Sequence, residues 1–299
     1  MVLKKDSWLV RGVLILAVAA FVAVPVIFAL NSRSSGGRAN VASTQTTADQ
    51  ATRLQGTVES YKTVLAREPE NQTALIGLIQ AQIELGDLAG TVEPLERLAN
   101  LNPEVPEYSI ALAQTQQQLG NLEAAAQVYR RVLTSNPGSV PALEGLVALL
   151  VTQDRAEAAV GLLQDTLATA DQTNELDPGS VDKLSIKLLL GQVFAEQQKY
   201  DEALAMYDEA IADAKAASPT QPDFRPTLAK ALVLDDQGDS SAARALFDEA
   251  LALAPAQYKD GVEQLISQRT APAGEAAPTA PPAASEAPSA APPSDPSAE

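Results

Sequence analysis

Between Gly191 and Ile211, small and aromatic residues recur at helical spacing. Phe194 follows Gly191 by three residues, and after a polar turn Tyr200, Ala203, Tyr207 and Ala210 fall three, four and three apart. Residues so spaced share one helix face, so the stretch predicts two short amphipathic helices joined by a turn. The same pattern runs through most of the chain. Val58, Tyr61, Val64 and Leu65 form a stripe that stops at Pro69, and further stops stand at Pro103 and Pro137. The three prolines are 34 residues apart in each case, so each ends a helix at the same phase of a repeat.

Five complete units can be aligned on that period. They start at residues 72, 106, 140, 184 and 224, after a half unit at 51–71. The second shows the pattern well, with Leu112, Ala113, Gly120-Asn121, Leu122, Ala125, Tyr129 and Val132. The fifth carries Ala231, Leu234, Gly238-Asp239, Ala243, Phe247 and Ala250, closed by Pro255. This resembles the tetratricopeptide repeat (TPR), a helix–turn–helix unit of 34 residues. The resemblance covers residues 51–269 and implies an all-α, right-handed TPR solenoid. Asp154 and Gln198 stand where the family has its turn glycine, Thr91 replaces the small alanine, and no first helix carries a Trp.

Gly86, Gly120 and Gly238 fall where a first helix must end and are expected in the left-handed cap conformation. Pro106, Pro141 and Pro226 fall in the first turn of a helix, where a missing N–H costs little. Pro94 lies inside a predicted second helix and predicts a local bend. The starts at 140, 184 and 224 are 44 and 40 residues apart, so two connections exceed the period. The first insertion, near Asp171 to Ser180, is expected to lengthen a helix and turn at Asp177-Pro178-Gly179. The second, near Ala217 to Asp223, is expected to be loop.

The flanks differ in kind. Residues 1–11 are basic, and residues 12–30 (GVLILAVAAFVAVPVIFAL) form an uncharged apolar run. At about 1.5 Å per residue that run would span a hydrocarbon core, with Trp8 at the interface, so a single transmembrane helix is expected. The alternative is a cleaved signal peptide, whose apolar region is shorter and is followed by a small-x-small site. The basic start places the rest of the chain across the membrane, although Arg33 and Arg38 narrow the asymmetry. The polar stretch 31–50 is expected to be a flexible linker. Residues 270–299 lack any basic residue and hold eight prolines, which predicts a disordered acidic tail. A capping helix is expected over 256–269, covering the open end of the solenoid.

Composition narrows the chemistry. With no Cys and no His, thiolate catalysis, Cys/His zinc sites and imidazole relays are excluded. A net charge of −17 argues against nucleic acid. The carboxylate pairs Asp201-Glu202, Asp208-Glu209, Asp235-Asp236 and Asp248-Glu249 lie beside apolar stripe residues, where a solvated face is expected. Neither an enzyme nor a cofactor is indicated: catalytic, cofactor and metal residues are none.

The resemblance implies a concave groove lined by first helices that holds a segment of a protein partner. Its candidate residues are Ile76, Gln80, Ile110, Gln114, Gln117, Glu144, Leu188, Gln192, Leu228 and Asp235. The family's clamp for terminal carboxylates uses Lys, Asn and Arg there. Ile, Gln, Leu and Ala suit an apolar or mildly basic partner instead. The overall plan is similar to membrane-anchored TPR proteins of cyanobacteria and chloroplasts that assist photosynthetic membrane complexes. The expected function is a membrane-tethered scaffold that assists assembly or stability of a membrane complex. The alternative is an envelope-facing protein in cell-wall or outer-membrane assembly.

Overall fold

The computed structural model describes residues 43–270. The basic start, the apolar run 12–30, the linker up to residue 42 and the tail beyond Thr270 lie outside the described residues. Among the described residues, no helix is long and apolar enough to cross a membrane.

All regular structure in this region is helical. The chain opens with α1 (Ser43–Arg67). Five helix pairs follow: α2 (Gln72–Leu85) with α3 (Val92–Leu101), α4 (Pro106–Gln118) with α5 (Leu122–Ser135), and α6 (Val140–Thr152) with α7 (Ala156–Leu176), then α8 (Lys183–Glu196) with α9 (Tyr200–Ala217) and α10 (Arg225–Gln237) with α11 (Ser240–Leu253). The last helix is α12 (Ala256–Thr270). Each helix packs on its neighbours in sequence, and α4, α6, α8 and α10 also touch in series. The result is a solenoid in which the first helices α4, α6, α8 and α10 form a continuous layer.

Each pair turns in the same way. Gly86, Gly120, Asp154, Gln198 and Gly238 all have positive φ, from 58° to 89°. In every case this residue's N–H reaches the carbonyl three back, and the next N–H reaches the carbonyl five back, as in Asp87 to Gln82 and Lys199 to Phe194. The last carbonyls of the first helix are thereby satisfied. The turn is left-handed whether or not glycine occupies it, because the packing of both helices determines it.

The core is built from the small and aromatic stripes. Tyr207 is 3 % exposed, with Ala203 fully buried beside it. A Cβ on Gly191 would stand 2.5 Å from the Tyr207 ring, so the glycine is the seat of that ring. Tyr129 lies in the same manner over Gly145 of the following unit, and Tyr61 over Gly77. Those two glycines sit two positions earlier in their helix than Gly191 and belong to the next repeat, so a repeat-by-repeat alignment does not single them out.

Two expectations need correction. Helix α1 begins at Ser43, inside the stretch expected as linker to residue 50. STQTTADQ contains no Gly or Pro, and a helix nucleated by packed residues such as Val58 and Leu65 extends at little cost per residue. Pro94 does not bend a helix interior. The chain runs as a 3₁₀ turn over Ala89–Thr91 before α3 begins at Val92, placing Pro94 in the first α-helical turn. The first insertion does lengthen a helix, taking α7 to 21 residues before the turn at Asp177-Pro178-Gly179, and side-chain bonds fasten the return loop. The Asn174 amide donates to the Val181 carbonyl at 3.0 Å and accepts from its N–H at 2.9 Å. Gly138 has no room for a Cβ against the Ser180 carbonyl, so the loop lies directly on the preceding turn.

Candidate functional site

The first-helix residues fall into three environments. Ile76 is 43 % exposed, and Ile83, seven residues on, is 41 % exposed, so α2 presents two aliphatic side chains to solvent on one face. Gln80 lies between them, half-buried, and donates to Glu84 at 3.4 Å. Gln114 is exposed. Half-buried Gln117 accepts from the Tyr129 hydroxyl at 3.5 Å, and half-buried Gln192 donates to Glu196 at 3.1 Å. Burial of Tyr129 pushes its phenol up to about 12, so the hydroxyl stays a donor at any ordinary pH.

Ile110 belongs elsewhere. At 8 % exposure it joins the buried cluster that includes Leu112, Ala113 and Leu143, so it packs and does not line a surface. Its apolar side chain on a helix covered by neighbouring units is better accommodated away from water. Leu188 and Leu228 are half-buried and packed against core clusters, Leu188 near Tyr207 and Leu228 near Phe247. Asp235 faces Arg269 of α12 at 3.8 Å, and Asp236 accepts from the same guanidinium at 2.8 Å. The acidic end of the first-helix layer is thus covered by a cation from the terminal helix.

A polar cluster joins α6, α8 and α10. Arg225 forms a fork with Asp223, with Nη2 at 2.7 Å and Nε at 2.9 Å from Oδ2. Its Nη1 stands 3.5 Å from the Ser185 hydroxyl, which donates to Asp182 at 2.5 Å. Asp182 also caps α8 by accepting from the Leu184 and Ser185 N–H groups. Glu144 of α6 completes the cluster. Its burial pushes the carboxyl up to about 7, opposed by the positive field of Arg225. Burial alone would lower the Arg225 pKa, but Asp223, then Asp182 and Glu144, outweigh it and hold the guanidinium above its usual value. Glu144 was legible as a candidate, whereas Arg225 was not. Its signal was the Asp-Phe-Arg-Pro end of the second insertion, where a charge pair precedes a helix-starting proline.

Among the described residues, no group of three or more carboxylates is placed to hold a metal ion. The Asp208 carboxylate is engaged by Lys230, and Glu209 by Lys187 at 3.1 Å. These pairs fasten neighbouring helices.

The chain belongs to the tetratricopeptide repeat family: one family model of that repeat matches residues 43–216 and a second matches residues 182–256. No curated protein matches the sequence. Among solved structures, the chain is similar to TTC0263, a thermophilic TPR protein of Thermus thermophilus, at 22 % identity. That match covers 66 % of this chain and 98 % of the other, with a TM-score of 0.43. Yeast Tom70 is similar at 14 % identity over 71 % of this chain and 42 % of its own, with a TM-score of 0.49. YrrB, a TPR protein with an unusual peptide-binding site, is similar at 13 % identity over 70 % and 99 %, with a TM-score of 0.38.

Proposed function

We propose that this TPR chain is a membrane-tethered scaffold whose first-helix layer holds a segment of a partner protein and assists assembly or stability of a membrane complex. TPR proteins mediate protein–protein interaction, which is the role this reading assigns to the repeats. The observation that carries the reading is the exposed face of α2. Ile76 and Ile83 are large aliphatic side chains left in water, aligned on a helix whose other face is core. The glutamines Gln80, Gln114 and Gln192 along the layer supply both donors and acceptors without charge. An extended or helical segment with apolar anchors fits that surface. The tether is the apolar run 12–30, and its basic flank favours the repeats on the non-cytoplasmic side.

Affinity capture from solubilised membranes with the full chain tests the reading. Ile76→Asp combined with Ile83→Asp is expected to abolish capture while helicity and melting stay unchanged. Gln114→Arg with Gln192→Arg is expected to weaken it. Undiminished capture by both double variants would show that the first-helix layer is not the binding surface. Protease shaving of intact cells and isolated membranes locates the repeats, and protection on the cytoplasmic side would reverse the proposed orientation.

A further inference from the structure

The α2–α3 unit departs from the other repeats at several positions that line one cleft. This cleft, of about 300 Å³, opens between α1, α2 and α3, and its lining includes Lys62, Leu78, Gln82, Gly90, Glu93, Pro94 and Arg97. Gly90 stands where the other units carry Ala124, Ala158, Glu202 and Ala242. Pro94 stands where they carry Val128, Leu162, Met206 and Leu246. Gln82 occupies the position of Leu150, Phe194 and Leu234, and only Gln116 repeats it. Smaller or stiffer residues at three facing positions leave space that other repeats fill.

The floor of that space is polar and unsatisfied. Gln82 is 4 % exposed, and its Oε1 has no hydrogen-bond partner. The equivalent Gln116 Oε1 accepts from the Asn121 side chain at 2.8 Å. In the α2–α3 unit the residue at the place of Asn121 is Asp87, whose carboxylate accepts and has no proton to give. Leaving a buried acceptor unpaired costs roughly 1–3 kcal/mol, so the arrangement calls for a donor from outside the chain. Gly90 is needed here as well, since a Cβ would strike the Gln82 amide. The mouth carries Lys62 and Arg97, two cations on a protein of net charge −17. Lys62 pairs with the exposed Glu59 at 3.0 Å, and Arg97, itself half-buried, pairs with the exposed Glu93 at 3.0 Å while its Nη2 donates to the Pro69 carbonyl at 2.6 Å. Both glutamates are exposed, and ion pairs with so little stabilising energy can be exchanged for another carboxylate while Arg97 keeps its bond to Pro69.

We propose that this cleft binds a carboxylate that carries a neighbouring amide N–H, the chemistry shared by a free N-acyl amino acid and the last residue of a peptide chain. The carboxylate meets Lys62 and Arg97, an apolar side chain rests on Leu78 and Pro94, and the N–H enters toward Gln82 as its amide turns to receive it. The site is separate from the candidate groove residues of the first-helix layer.

Amide-detected NMR titration of the full chain tests this with three probes: N-acetyl-leucine, N-acetyl-leucinamide, and a ten-residue peptide ending in Leu with a free carboxylate. N-acetyl-leucine is expected to shift the Gly90 N–H and the Gln82 side-chain amide. The leucinamide should bind at least about tenfold more weakly, equivalent to one lost charge-assisted contact. Gln82→Leu, which removes the unpaired oxygen, is expected to keep or raise the melting temperature while losing binding by about the same factor. Tighter binding of the peptide than of N-acetyl-leucine assigns the site to chain termini, and the reverse assigns it to a free metabolite. Absence of shifts with all probes, equal binding of the acid and the amide, or full binding by Gln82→Leu would each overturn the proposal.

Discussion

The α8–α9 and α2–α3 pairs occupy the same place in the repeat and use it differently. In α8–α9, Gly191, Phe194, Ala203 and Tyr207 interlock. In α2–α3, Ile79, Gln82, Thr91 and Leu95 stand at those four positions. The first pair is filled by an aromatic ring seated on a glycine. The second leaves a cleft with a buried amide and presents Ile76 and Ile83 to solvent. A solenoid tolerates this because each unit contacts only its neighbours, so tightly packed units stabilise a loosely packed one. Residues that make a unit conspicuous are then its scaffold, and its capacity to bind lies in the unit that departs from the pattern.

The contrast can be broken at its strongest point. Tyr207→Ala is expected to lower the unfolding free energy by about 4 kcal/mol, since a buried aromatic leaves a cavity that neighbours cannot close. Gln82→Ala should cost less, about 1 kcal/mol, because the Oε1 it deletes has no partner and a cleft already opens beside it. Urea denaturation of the two variants compares them directly, and equal losses would erase the distinction.

Glycines give the next test. Gly191→Ala places a methyl 2.5 Å from the Tyr207 ring and is expected to destabilise by about 2 kcal/mol. Gly56→Ala, in α1, meets nothing within 4 Å and should stabilise by about 0.5–1 kcal/mol. Opposite signs for the same chemical change would separate seat from spacer.

Glu144 supplies a pH dependence. Its folded pKa, about 7, is raised from 4.5, so the folded chain binds the proton more tightly than the unfolded chain. This contribution to stability is complete below pH 4.5, declines as pH rises, and is lost above about pH 7. After discounting for its partial exposure, about 1 kcal/mol is expected across that window. Glu144→Gln should flatten the melting-temperature profile between pH 5 and pH 8, and an unchanged slope would place the titration elsewhere.

The smallest effect concerns the turns. Gln198→Gly removes a side chain from a φ of 61° and is expected to stabilise by about 0.5 kcal/mol, relief of strain exceeding the added chain entropy. Thermal unfolding resolves it, and a loss of stability would mean that the Gln198 side chain contributes favourably to the turn.

Local features were legible in the chain alone because local chemistry produces them. A 34-residue period, prolines that stop helices in phase and glycines that accept a left-handed cap define the helix pairs and their turns. The family resemblance implied that Ile76 and Gln114 line a groove, and both side chains are exposed. Other features arose only when distant residues met. Ile110 is buried because neighbouring units cover it, and Asp235 faces Arg269 because α12 lies across the last pair. Arg225 and Glu144 are 81 residues apart, and helix periodicity carries no information about their proximity. The start of α1 at Ser43 is unmarked in the sequence for a related reason, since a polar segment carries no apolar stripe even when helix propagation continues through it. By itself the sequence determined a TPR solenoid. Which side chains remain free in that solenoid, and that the Gln82 and Gln197 amides each keep one buried, unpartnered atom, was decided by packing between units, where burial rather than spacing sets the energy.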